Sequence, residues 1–199
     1  LYSSPNRGPK AVPGTYKARL TVNGERVEQE FEIIGDPRLP NTEKDYQAQF
    51  DFLIRVRDKV SEAHQAILDI RSLRKDLEYL TGKLEEDPDN KEIIAMIKNL
   101  DEDMSVIENN IHMTKNQSVQ DPLNYGIRIN NRLAFLMADQ QRGDFPPTDQ
   151  AEEFRQEVTE ELEKELDDLN ELLAEELDKI NAAVKAAGVE FLQLKTKRS

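Results

Sequence analysis

Imidazole and thiol chemistry have almost no material in this chain, which carries two histidines, His64 and His112, and no cysteine. A di-iron centre in a helical bundle takes two Glu-x-x-His motifs plus two further glutamates. The residues three before His64 and His112 are Ser61 and Asn109, so neither motif exists, and each His reads as a surface or bundle-edge residue. Without cysteine there are no disulfides, thiolate nucleophiles or Cys-based metal sites. No Ser or Thr groups with a positioned base as nucleophilic catalysis requires, and there is no Gly-rich phosphate loop. The expectation is no cofactor and no metal.

Carboxylates are the abundant group. Forty acids against 27 Lys and Arg give a net charge of −13, a sign that repels phosphate backbones and argues against nucleic-acid partners. A glycosidase needs two carboxyls flanking a concave site, one of them with a raised pKa. Solvated acids on regular helices lack that environment, and a chain with no Trp lacks a platform for a sugar ring. Catalysis by this segment is therefore not expected. Between Glu152 and Lys179 stand thirteen acids against Arg155, Lys164 and Lys179, a local charge of −10. Because these acids fall between apolar stripe positions, the segment reads as a solvated face. A cation-binding or basic-partner surface is the alternative. Arg55, Arg57, Arg71, Arg74 and Lys75 are the cations expected to offset part of it.

The most distinctive stretch is Gln120 to Leu133, which sets amides and arginines among apolar residues. Asn is a poor helix former, so Asp121, Asn124, Arg128, Asn130 and Asn131 are expected to form a polar network locking a helix. A small binding site at the preceding loop is the alternative.

These residues need elements to hold them. The first fourteen residues carry Pro5, Pro9, Pro13, Gly8 and Gly14, an extended lead-in. The alternating runs Thr15–Val22 and Arg26–Ile33 flank Asn23-Gly24, a type I′ hairpin signal. In that register Leu20 faces Val27 and Tyr16 faces Phe31, while Lys17 faces Glu30 and Arg19 faces Glu28. The apolar face needs a cover, either the helices or strands preceding residue 1, and partial burial is the expectation. Gly35 to Pro40 marks a boundary, giving a lead-in and hairpin over 1–38 and helices over 39–199.

From Thr42 apolar residues recur at about 3.5-residue spacing to Leu84, at Tyr46, Phe50, Leu53, Val56, Val60, Ala63, Ile67, Ile70, Leu73, Leu77 and Leu80. Asp87-Pro88 breaks this helix, and a second follows with Ile93, Ile97, Leu100, Met104, Ile107 and Ile111. Asp121 caps a third that runs to about Ala138, and Thr148 caps the last, striped from Phe154 to Ala187. The fold class is mainly α, an antiparallel four-helix bundle with two long and two shorter helices after an N-terminal hairpin. Short connections predict that the first and last helices run antiparallel, so the hairpin would meet Val189, Phe191, Leu192 and Leu194. No apolar run reaches the roughly 20 residues of a membrane span. A start at Leu1 without a signal peptide suggests a piece of a longer or processed chain.

The series Pro13-Gly14-Thr15-Tyr16-Lys17-Ala18-Arg19-Leu20-Thr21-Val22-Asn23-Gly24 resembles the closing hairpin of the Ig-like module in large exported bacterial proteins. These are the BNR-repeat or sortilin-like glycosyl hydrolases. Asp45-Tyr46-Gln47-Ala48-Gln49-Phe50-Asp51, Ile54-Arg55-Val56-Arg57-Asp58-Lys59 and Gln120 to Leu133 resemble the helical C-terminal region that follows. The family often has Pro where Gly126 stands. The resemblance, over about residues 12–190, implies export to the periplasm or outside and a β-propeller N-terminal to this segment. The propeller's Ser-x-Asp-x-Gly-x-Thr-Trp boxes are missing here, so no catalytic residue carries over. The expected function is a non-catalytic accessory domain contacting the Ig-like or propeller part of the same chain, or a protein partner. A helical oligomerisation module is the alternative.

Overall fold

The computed structural model describes residues 8–118 and 120–189. It is mainly helical, with a two-stranded hairpin at the N-terminus. Strands β1 (Gly14–Val22) and β2 (Glu25–Ile33) lead to α1 (Glu43–Leu84) and α2 (Lys91–Ile111). Then come α3 (Pro122–Tyr125), α4 (Ile129–Gln140) and α5 (Asp149–Ala186). Helices of 42 and 38 residues are the two long elements, and those of 21 and 12 the two shorter ones.

Local chemistry sets the ends. Thr42 Oγ1 accepts from the Asp45 N–H at 3.3 Å, and Asp45 Oδ2 accepts from the Thr42 N–H at 2.8 Å, a reciprocal cap for α1. Thr148 Oγ1 accepts from the Ala151 N–H at 3.1 Å and starts α5. The third helix departs from expectation, because it is broken: Gly126 stands between α3 and α4 at φ +79°. A proline ring fixes φ near −65°, so proline could not take this conformation at a position where the resembling family often has one. Asp121 does not cap forward either. Its carboxylate turns back and accepts from the Gln117 and Ser118 N–H groups at 2.6 and 2.8 Å.

The hairpin register pairs Tyr16 with Phe31, Leu20 with Val27, Lys17 with Glu30 and Arg19 with Glu28. Asn23 at φ 50° and Gly24 at φ 88° supply the left-handed pair that a type I′ turn needs.

The chain divides into two compact units, one of residues 1–58 with 133–156 and one of residues 59–132 with 157–199. In the first, Gln49 of α1 is buried, and its Nε2 donates to the carbonyls of Gln140 and Gly143 at 2.7 and 2.8 Å. Arg55 pairs with Glu152 of α5 at 3.1 Å. Phe52, Leu53, Val56, Leu133 and Leu136 are buried there. Tyr46 fixes the exit from β2, since a Cβ on Gly35 would lie 2.6 Å from its hydroxyl oxygen. Any other residue there would force the Tyr46 ring to shift.

In the second unit the whole α2 stripe from Ile93 to Ile111 is buried against helices α1 and α5 bearing Ala63, Ile67, Ile70, Leu77, Leu80 and Val158 to Val184. Each fully buried aliphatic side chain contributes about 1.5–3 kcal/mol. The polar ties give the directions. Arg71 meets Glu108 and Arg74 meets Asp101, so α1 and α2 are antiparallel. Asn110 bonds Glu165, His112 meets Asn130, and Arg132 pairs with Glu161, so the path from α2 into α4 descends α5. Thus α1 and α5 run in the same direction here, not antiparallel as their order suggested. The cause lies in the chain after α2, which does not turn back beside α2 across the break at residues 112–128 but carries on from His112 through Asn130 to Arg132 along α5.

Candidate functional site

The hairpin carries one polar and one apolar face. On the polar face Lys17 reaches Glu30 at 3.3 Å and Arg19 reaches Glu28 at 2.6 Å. On the other, Tyr16 stacks on Phe31 with ring centroids 6.0 Å apart. That face is open: Leu20 is 64% exposed, Val27 68% and Phe31 46%. The expected partial burial is confined to the hairpin base, where Tyr16 and Ile33 are half-buried. The cause lies in the local chain path. Lys10 is tied to Asp144 at 2.9 Å, and the Tyr16 hydroxyl donates to the Val12 carbonyl at 2.7 Å. These anchor the base and leave the distal strands to stand free. Beside the base, Val12, Ile33, Ile34, Tyr46, Gln49 and Asp144 line a cavity of about 370 Å³. Val189 is half-buried, while Phe191, Leu192 and Leu194, expected beside the hairpin, lie outside the described residues.

The polar stretch is distributed over several roles. Asp121 holds the loop before α3, and bonds from Gln117 and then Ser118 keep its carboxyl below the usual aspartate value. Asn124 is exposed. Asn130 is buried, with its Nδ2 3.1 Å from His112 Nδ1. Arg128 Nε, Asn130 Oδ1 and Asn131 Oδ1 are buried without a hydrogen-bond partner. These five residues are not joined in one network among the described residues. Neighbouring Arg132, not singled out in the sequence, makes the strongest tie, a two-pronged pair to Glu161 with one arm at 3.0 Å.

Glu108 was also missed. Burial by itself would raise its carboxyl, but the guanidinium groups of Arg71 and Arg74, at 2.7 and 2.9 Å, hold it below the ordinary value. Its spacing was a usable signal, four residues after Met104 and three before Ile111 on the buried stripe. Arg71 and Arg74, expected to face the acidic helix, serve α2 instead. His112 is shifted below its ordinary value of 6.5, first by burial and then by Arg71, with Glu108 opposing and His64 adding.

On α5, Glu152, Glu161, Glu163 and Glu176 are engaged by Arg155 with Arg55, by Arg132, by Lys59 and by Lys179. Among the described residues no group of three or more His, Asp and Glu could hold a metal ion, and no helix is long and apolar enough to cross a membrane. A groove of about 400 Å³ runs over Leu77 and Ile97, between Glu78 and Glu85 on one side and Lys98 and Asp101 on the other. Comparison with protein-family models, curated proteins and solved structures returned no match.

Proposed function

We propose that this chain is a non-catalytic accessory domain that acts through protein–protein contact. The observation that carries the reading is the uncovered apolar face of Leu20, Val22, Val27 and Phe31. Two strands alone are marginal in water, and an apolar sheet face left open is an interaction surface or an aggregation hazard. The side chains with depressed pKa values support the same reading, since Glu108, Asp121, Glu152 and Glu161 all act as ion-pair or loop-holding groups. Glycoside hydrolysis would need the opposite, an acid raised towards neutrality in a concave site.

The resemblance extends the proposal: the domain follows the propeller of an exported, periplasmic or extracellular BNR-repeat or sortilin-like protein. There it makes inter-domain or partner contacts and contributes no catalytic residue. The test has two arms. The chain is assayed on chromogenic glycosides and sialosides, with no turnover above the buffer blank expected. Turnover abolished by one acid-to-amide change overturns the reading. In the longer parent protein, removing residues 39–199 is expected to lower folding yield, export or assembly before it lowers turnover per folded molecule.

A further inference from the structure

We propose that the hairpin docks a second copy of this chain edge to edge. In this arrangement β1 of one copy adds antiparallel along the outer edge of β2 of the next, in the register that already joins β1 to β2 within each copy. The inference rests on the contact reading above and names the partner for that surface. Among the described residues the sheet has two strands, so each strand keeps one outer edge. Val22 and Glu25 close the two-residue turn as a hydrogen-bonded pair, and the pairing alternates from there. Lys17, Arg19 and Thr21 therefore turn their backbone N–H and C=O groups outward on β1, and Arg26, Glu28 and Glu30 do so on β2. The Glu30 carbonyl accepts from the exposed Gln29 side chain at 3.1 Å, a bond that an incoming strand replaces.

Charge then selects which edges meet. On the polar face β1 carries Lys17 and Arg19 and no acid, while β2 carries Glu28, Glu30 and Glu32 with Arg26 as its cation. Joining β1 antiparallel to β1 over the full strand sets Lys17 against Arg19 twice. Joining β2 to β2 in the same way sets Arg26 against Glu32 twice, but also Glu28 against Glu30 twice, so attraction and repulsion cancel. Joining β1 to β2 sets Lys17 against Glu30 and Arg19 against Glu28, with Arg26 opposite Thr21. No like charges face each other in that arrangement, and opposite charges across strands stabilise the pairing.

The hairpin itself supplies the template. Within one copy this register brings Lys17 to Glu30 at 3.3 Å and Arg19 to Glu28 at 2.6 Å, with all four side chains exposed. Repeated between copies, it sets each of these cations between an acid of its own copy and an acid of the neighbour. The apolar face grows in the same step, with Leu20 beside Val27 and Tyr16 beside Phe31 of the neighbouring copy. Two strands become four, past the roughly three at which a sheet gains stability of its own. Because the two joined edges differ, a free edge of each kind always remains, and assembly runs head to tail.

The experiment uses the full chain and a charge-swapped variant carrying Lys17→Glu, Arg19→Glu, Glu28→Lys and Glu30→Lys, which keeps the complementarity within each hairpin. Each is weighed by light scattering over a hundredfold range of concentration. Donor- and acceptor-labelled copies are then mixed, like with like and like with unlike, and energy transfer is read. For each chain alone the mean mass should rise with concentration beyond that of a dimer. Association of unlike chains should be at least tenfold weaker than that of like chains, a gap that added salt narrows. A chain that is monomeric throughout, a mass that stops at the dimer, or equal association in all mixtures overturns the proposal. Stronger association of unlike chains overturns it too, since that marks β1-to-β1 or β2-to-β2 joining. A photo-crosslinker at Leu20 needs no charge change and separates this inference from the broader reading. In the longer parent protein, linkage to β2 of another copy supports both. Linkage to a different protein segment overturns only the inference, and no linkage overturns both.

Discussion

Asn130 Nδ2 lies 3.1 Å from His112 Nδ1, joining the first turn of α4 to the residue that closes α2. A ring nitrogen that accepts from an amide belongs to a neutral imidazole. The second unit thus holds its corner best while His112 is uncharged.

That gives a pH prediction with a definite sign. His112 titrates below 6.5 in the fold, so beneath that pH the unfolded chain takes up a proton that the folded chain resists. The stability due to neutral His112 is full above 6.5 and is lost as pH falls towards the lower folded value. Melting curves at pH 7.5, 6.5 and 5.5 are expected to show a decline that His112→Gln reduces. Identical slopes for wild type and His112→Gln would refute the assignment.

Glu108 should be the costliest acid to neutralise. Its side chain is 4% exposed and takes bonds from both Arg71 and Arg74. Glu108→Gln leaves Arg71 without its acid partner and Arg74 with Asp101 alone, which costs about 2–4 kcal/mol in urea denaturation. The exposed Lys98–Glu102 pair, at 3.7 Å, provides the contrast, and Glu102→Gln should change stability by less than about 0.5 kcal/mol.

Gly126 is a backbone requirement rather than a packing one. Nothing lies within 4 Å of a Cβ built there, yet its φ is +79°. Gly126→Ala should therefore cost about 1–2 kcal/mol through the left-handed conformation alone. Gly126→Pro should cost more, with amide exchange accelerated across the start of α4.

Phe31 measures the openness of the hairpin. For a buried aromatic, truncation to Ala costs about 3–5 kcal/mol. With Phe31 46% exposed and stacked on Tyr16, Phe31→Ala should cost the monomeric chain no more than about 1 kcal/mol. A loss of several kcal/mol in a monomer would mean that the face is covered.

The hairpin, its register and the ends of α1, α2 and α5 were legible in the sequence because each is decided within a few residues. Asn23-Gly24 sets the turn, alternation sets the faces, and Thr42 and Thr148 cap from within one helical turn. Burial of Ile93, Ile97, Leu100, Met104, Ile107 and Ile111 likewise follows from helical period alone. Phe52 and Gln49 escaped that pattern because a neighbouring helix, α4 in the case of Gln49, widens the buried face beyond the seam. Tertiary structure alone decided that Arg71 and Arg74 turn to Glu108 and Asp101 and not to the acids of α5. It also decided that in the second unit α1 and α5 run parallel, because the ties of Asn110, Asn130 and Arg132 carry the chain along α5 after α2. Periodicity fixes which face of a helix is apolar. Which partner meets that face, and from which direction, is a property of the assembled chain.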